Sequence, residues 1–306
     1  MATHSEMQSG ANVFRVPLSI VNAYLIGPPL ATDRGWVLVD AGLSISRAAI
    51  VAAAAAAFGP RSRPAAIVLT HGHFDHVGSV KALAELWDAP VYAHPLELPY
   101  LTGRSDYPPP DPAVGGGAMA FVSPLYSRRG IDLSSRVRPL PDNGAVPHLP
   151  DWQWVHTPGH TPGHVSLFRA EDRTLVAGDA FVTTKQESLL AALLKPEAVH
   201  GPPAYFTTDW ETAKASVRAL ASLQPEVAAT GHGVPMRGRE LREQLDRLAR
   251  DFDRLAVPVD GRYVRRAAVA DIRGVRYVPP PVFPPAAVLL AVGAGAVVGA
   301  LTSGRD

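Results

Sequence analysis

Thr70-His71-Gly72-His73-Phe74-Asp75-His76 follows directly on the apolar run Ala65-Ala66-Ile67-Val68-Leu69. A short aliphatic run closed by polar residues and Gly reads as a buried strand, which puts the His and Asp side chains on the loop at its end. Such loops carry chemistry in α/β proteins, because the strand holds them rigidly while they stay accessible. Imidazole and carboxylate suit Zn²⁺, Mn²⁺ and Fe²⁺. Four of them packed into His71 to His76 are costly to place together unless a cation holds them, and grouped His and Asp point to metal ligation.

Three further segments repeat the pattern of a strand ending in a ligand. Trp152-Gln153-Trp154-Val155 alternates like a strand and leads into His156-Thr157-Pro158-Gly159-His160-Thr161-Pro162-Gly163-His164, where two Pro-Gly turns tighten the loop. Thr174-Leu175-Val176-Ala177-Gly178 is an apolar strand closed by Asp179, and Val227-Ala228-Ala229-Thr230-Gly231 is another closed by His232. Asp40 ends a similar run, Gly35-Trp36-Val37-Leu38-Val39. The expectation is that these strand ends converge on one edge of a sheet system.

Taken in order, His-x-His-x-Asp-His, Thr157-Pro158-Gly159-His160, Gly178-Asp179 and Gly231-His232-Gly233 resemble the motifs of the metallo-β-lactamase-fold hydrolases, across residues 13 to about 235. The resemblance implies an α/β fold, a four-layer αβ/βα sandwich with helices outside and two sheets inside. It also implies two divalent metal ions, with zinc expected first and iron(II) or manganese(II) as alternatives. His71, His73 and His160 would hold one ion; Asp75, His76 and His232 would hold the other, with Asp179 bridging. Asp75 and Asp179 are then the candidate catalytic carboxylates. Asp40 and His164 are expected behind the ligands, orienting them through hydrogen bonds, and His156 is expected to be structural. Two ions sharing a water would lower its pKa and deliver hydroxide beside a polarised substrate group, so no Ser or Cys nucleophile is needed.

The rest of the chain bounds this reading. Strands are expected over residues 14–18 and 21–26, with Pro17 marking an edge or an end of the first. An Ala-rich helix is expected over 44–58 and a second over 77–87. Leu241, Leu245, Leu248, Phe252 and Leu255 share one face of an amphipathic helix over 238–256. With 306 residues, 47% of them hydrophobic, there is ample material for a core. A net charge of +1 calls for no nucleic-acid partner, and the absence of Cys excludes disulfides and thiolate metal sites. Residues 1–12 form no secretory signal and are expected to be flexible, so a cytoplasmic location is expected.

Residues 101–130 are rich in Pro and Gly and lie between the two ligand-bearing halves of the catalytic domain at 13–256. An insertion of this length is expected to be functional, here a lid over the metals. Tyr107, Tyr126 and Phe181 are the candidate substrate contacts, with Tyr100, Arg104 and Arg128 as weaker ones. Residues 257–306 read as an Arg- and Pro-rich linker followed by an apolar tail. Its uncharged part, 286–302, sits at the lower limit for a membrane span and suggests a tail anchor; a helix buried against protein is the alternative. The substrate expected is a small-molecule ester, thioester or lactone. Glutathione-binding basic and tyrosine residues have no clear counterpart, and no Tyr closely follows Asp179, unlike in the quorum-quenching lactonases. His73, where flavo-diiron oxidoreductases are acidic, argues against that branch. A mono-iron persulfide dioxygenase and a non-catalytic, metal-stabilised binding protein remain alternatives, and the oligomeric state is not legible.

Overall fold

The computed structural model describes residues 8–10, 12–115, 117–184 and 198–282. A seven-stranded sheet runs in chain order: β1 (Gln8–Gly10), β2 (Val13–Leu18), β3 (Val21–Ile26), β4 (Val37–Val39), β5 (Ala66–Val68), β6 (Val91–Ala93) and β7 (Val137–Pro139). The first four strands pair antiparallel, and β4 to β7 pair parallel. The second sheet contains β8 (Ala145–Val146), β9 (Leu149–His156), β10 (Val165–Arg169), β11 (Thr174–Gly178), β12 (Val227–Thr230) and β13 (Met236–Arg237), ordered β13-β12-β11-β10-β9-β8.

Buried side chains show how the sheets stack. Tyr24, Ile26, Val37, Val39 and Val68 of the first sheet share one apolar cluster with Trp152, Leu167, Val176 and Ala229 of the second. On the outer face of the first sheet, Leu25, Leu38 and Ile67 meet Ile50 and Phe58 of α1 (Arg47–Phe58), and Leu83 and Trp87 beyond α2 (Phe74–Val77) in α3 (Val80–Trp87). Between the sheets, α4 (Leu98–Leu101) and α5 (Ala118–Phe121) are short helices in the connection. On the outer face of the second sheet, Leu175, Ala177 and Ala228 meet Trp210, Val217 and Leu220 of α6 (Trp210–Ser222), Leu241, Leu245 and Leu248 of α7 (Gly238–Arg250), and Phe252 of α8 (Phe252–Leu255). The order is therefore helix, sheet, sheet, helix, as an α/β sandwich needs in order to bury both faces of each sheet.

Several expectations change in detail. Gln8 to Gly10 form a strand on β2, so part of the N-terminal segment expected to be flexible is held by main-chain pairing. Pro17 lies in β2 beyond that pairing, opposite Asn22, where its missing N–H costs no ladder bond. Residues 257–282 are more than a linker: β14 (Val269–Asp271) and β15 (Gly274–Tyr277) form a hairpin, and this segment bonds to the domain. The Ala268 N–H donates to the Thr208 carbonyl at 3.0 Å, the Val275 N–H to Ser105 Oγ at 3.1 Å, and the Tyr263 hydroxyl to the Pro109 carbonyl at 2.6 Å. The tail at 286–302 lies outside the described residues, among which no helix is long and apolar enough to cross a membrane.

Candidate metal centre

The seven expected ligands come together at the ends of β5, β9, β11 and β12. His71, His73 and His160 form one group, His71, His76 and Asp179 a second, and Asp75, His76 and His232 a third, with the ligand atoms of each group within 4.8 Å of one another. His73 Nδ1 lies 2.9 Å from His160 Nε2, and His232 Nε2 lies 3.1 Å from Asp179 Oδ2 and 3.5 Å from Asp75 Oδ2. Asp179 Oδ2 also stands 3.6 Å from His76 Nε2 and 3.5 Å from His160 Nε2, which puts it at the centre of the cluster. All seven residues are buried.

The backs of the imidazoles are held so that their inner nitrogens face one another. His76 Nδ1 meets Asp40 Oδ2 at 2.8 Å, His232 Nδ1 meets the Ile20 carbonyl at 2.6 Å, and His71 Nδ1 meets the Thr70 hydroxyl at 3.1 Å. Thr70 itself donates both its N–H and its hydroxyl to Asp40, each at 2.8 Å, leaving that hydroxyl oxygen to accept from His71. In its neutral form each of these histidines therefore keeps its proton on Nδ1 and turns a free Nε2 inward, the arrangement a metal site requires. His164 lies behind the centre: its Nε2 accepts the Asp179 N–H at 2.9 Å, and its Nδ1 faces the Thr157 hydroxyl at 2.8 Å. Asp40 holds a left-handed backbone, φ 59°, which Asp tolerates better than most residues.

The donor set fits divalent metal binding. His71 Nε2, His76 Nε2 and Asp179 Oδ1 are buried with no hydrogen-bond partner, and buried polar atoms of this kind are costly unless something is bound to them. Backbone space is kept for the same purpose. A Cβ on Gly231 would lie 2.0 Å from Asp179 Oδ1 and 2.8 Å from His76 Cε1, and one on Gly178 would lie 2.6 Å from His164 Nε2. Charge follows burial and neighbours. Burial holds His71 and His73 well below the usual imidazole range and pushes His160 down to about 4. Burial also opposes protonation of His76 and His232, but Asp179 and the neighbouring carboxylates outweigh it and lift both. The Asp179 carboxyl, which burial alone would raise, is held well below its ordinary value by His232 and His76.

Glu97, unremarkable in the sequence, joins the ligand loops from beneath. It is fully buried; Oε2 accepts the Gly72 N–H at 3.0 Å and the Tyr107 hydroxyl, while Oε1 accepts the Thr161 hydroxyl at 2.8 Å and the Gly163 N–H at 2.9 Å. One carboxylate thereby ties the His71-Gly72-His73 turn to the His160 loop. This corrects the expectation for Tyr107. Its ring lies behind His73, centroids 4.6 Å apart, and its hydroxyl is taken by Glu97. Phe181 is likewise fully buried, in the core under α6 and α7, and offers no surface to a substrate. Tyr126 packs in an aromatic wall with Phe74, centroids 5.8 Å apart, and Phe206, 6.2 Å apart. Phe206 stands 4.5 Å from the His73 ring, a placement that no local pattern around residue 206 signals.

Comparison with known proteins agrees with this geometry. A model described as "Metallo-beta-lactamase superfamily" matches residues 16–232. The probable metallo-hydrolase YflN of Bacillus subtilis is 48% identical over 242 residues, spanning 79% of this chain and 91% of that protein. The probable metallo-hydrolase YybB of the same organism is 31% identical, spanning 64% of this chain and 74% of that one. Among solved structures, the BLEG-1 B3 metallo-beta-lactamase is 26% identical with a TM-score of 0.50, covering 74% of this chain and 93% of that one.

Proposed function

Since this chain belongs to the metallo-beta-lactamase superfamily, we propose that it is a binuclear metal-dependent hydrolase acting on a small-molecule ester, thioester or lactone. The observation that carries this is the set of three interlocking ligand groups around buried, unpartnered His71 Nε2, His76 Nε2 and Asp179 Oδ1. His71, His73 and His160 would hold one ion, and Asp75, His76 and His232 the other, with Asp179 between them. The donor set of imidazole nitrogens and carboxylate oxygens suits zinc, iron(II) or manganese(II). When bound, a pair of such ions supplies Lewis acidity and lowers the pKa of water toward neutrality.

The protein's own groups do the positioning. Asp40 and the Ile20 carbonyl fix the tautomers of His76 and His232. Asp75 is the most exposed of the seven ligands, at 7%, and is the carboxylate placed to pass a proton outward. Phe74, Tyr126 and Phe206 form an apolar wall for the group carrying the scissile bond.

Metal quantitation of the purified protein, combined with anaerobic assays on ester, thioester and lactone panels, tests the proposal. Two ions per chain and oxygen-independent turnover are expected. One iron with oxygen consumption, or bound metal with no turnover on any panel, would sink it.

A further inference from the structure

Next to the aromatic wall lies a pocket of about 300 Å³ lined by Tyr126, Arg128, Arg262, Pro110, Pro124 and Asp111, among others. Its two guanidinium groups come from distant parts of the chain, one from the 101–130 insertion and one from the C-terminal segment. Neither forms an ion pair among the described residues. Asp111 is the one carboxylate in the lining, and its oxygens accept the main-chain N–H groups of Arg262 and Ala113, so the two guanidinium groups outnumber it.

Contacts lead from this pocket to the metal centre by two routes. Tyr126 lines the pocket and also faces Phe206, which packs on His73. Arg128 Nη1 donates to the Tyr107 carbonyl at 3.0 Å, and the Tyr107 ring packs on the same His73. Guanidinium groups on an aromatic and proline wall are suited to an oxyanion, which they bind through charge-assisted and often paired hydrogen bonds.

Building on the hydrolase reading, we propose that this pocket is a substrate subsite in which Arg128 and Arg262 bind an anionic group, a carboxylate or a phosphate, at the end of the substrate remote from the bond that is cleaved. The substrate is then an acidic ester, thioester or lactone, and the subsite selects it over neutral analogues. Its two arginines also give the insertion and the C-terminal segment a shared role in specificity.

The test is calorimetric and independent of turnover. The metal-loaded full-length protein is titrated with dicarboxylates of four to eight carbons, with ω-phosphonocarboxylates of the same lengths, and with the matching monocarboxylates. One carboxylate of each probe is free to meet the metals, so the ratio of affinities reports the second group alone. At the chain length that spans the two sites, the doubly anionic probe binds about tenfold or more tighter, the scale of one or two charge-assisted hydrogen bonds. The carboxylate and phosphonate arms then show which anion is preferred. The ratio falls toward one in Arg262→Gln, which keeps the main-chain N–H that Asp111 uses, and in Arg128→Gln; Arg129→Gln, outside the pocket, keeps it. Equal binding of singly and doubly anionic probes at every length would overturn the proposal, as would a ratio that survives both substitutions. A ratio that collapses as expected in a protein that hydrolyses none of the corresponding esters or thioesters would leave the subsite standing and remove the hydrolase reading alone.

Discussion

Asp179 is the residue on which the centre depends most. Its Oδ2 stands within 3.6 Å of His76, His160 and His232, while its main chain is held by His164. Asp179→Ala, like His71→Ala, is expected to abolish both stoichiometric metal and turnover, and a fully active metal-free variant would refute the assignment. Glu97 acts at one remove. Burial raises its pKa while four donors favour the charged form. Glu97→Gln places an amide NH₂ against N–H and O–H donors, leaving buried groups unmatched at a cost of roughly 1–3 kcal/mol. Because those groups carry the His71–His73 turn and the His160 loop, metal affinity is expected to fall about 10–100-fold, the usual effect of losing an outer partner of a ligand. Competition with a chromogenic chelator measures it, and wild-type affinity would show that Glu97 does not position the loops. The ligands could be read from sequence because they are clustered and end apolar strands. Glu97 could not, since in Pro95-Leu96-Glu97-Leu98 nothing local distinguishes it from a surface residue, and its partners lie as far as 66 positions away.

At the scale of elements, the strands and helices with a strong period were legible, and those stabilised by tertiary contact were not. Residues 227–230 and 174–178 announce themselves as apolar runs ending in Gly and a ligand. Helix α6 does not, because its inward face is largely small: Ala213, Ser216, Val217, Leu220 and Ala221 follow Trp210, and Ala and Ser give little hydrophobic signal. The C-terminal hairpin escaped for another reason. It sits in a segment, residues 257–282, that is rich in Arg and Pro and is ordered by docking on the domain, with Tyr263 as the anchor of that segment at 3% exposure. Tyr263→Ala removes that anchor and the hydrogen bond to Pro109 together. The expected loss is roughly 3 kcal/mol, as for other buried aromatic residues cut to Ala, read as a lower urea midpoint. Proteolysis within 101–130 should speed up as well, since Pro109 and Asp111 lose their partners in 261–263. An unchanged midpoint would mean that the C-terminal segment rests on the domain without stabilising it.

For the molecule as a whole, the centre couples metal, protons and stability. Burial depresses His71, His73, His160 and His164, the last to about 3. In the metal-free fold these groups stay neutral below the ordinary imidazole value of 6.5, whereas the unfolded chain protonates them. The unfolded state then binds more protons, so stability rises with pH up to about that value. His76 and His232 work the other way. Their raised pKa values mean that the stability they contribute is fully present below the unfolded value and is lost as pH rises through the folded one. The metal-free protein is therefore expected to be most heat-stable near neutrality and less stable on both sides. A divalent cation replaces the protons on His76 and His232, so its binding releases protons and strengthens as pH rises. Scanning calorimetry from pH 5 to 9, with and without zinc, should show the gain in Tm on adding metal growing toward alkaline pH. Unbuffered titration should register acid release in the same range. A gain in Tm that does not vary with pH would show that the ions are held elsewhere than between Asp179, His76 and His232.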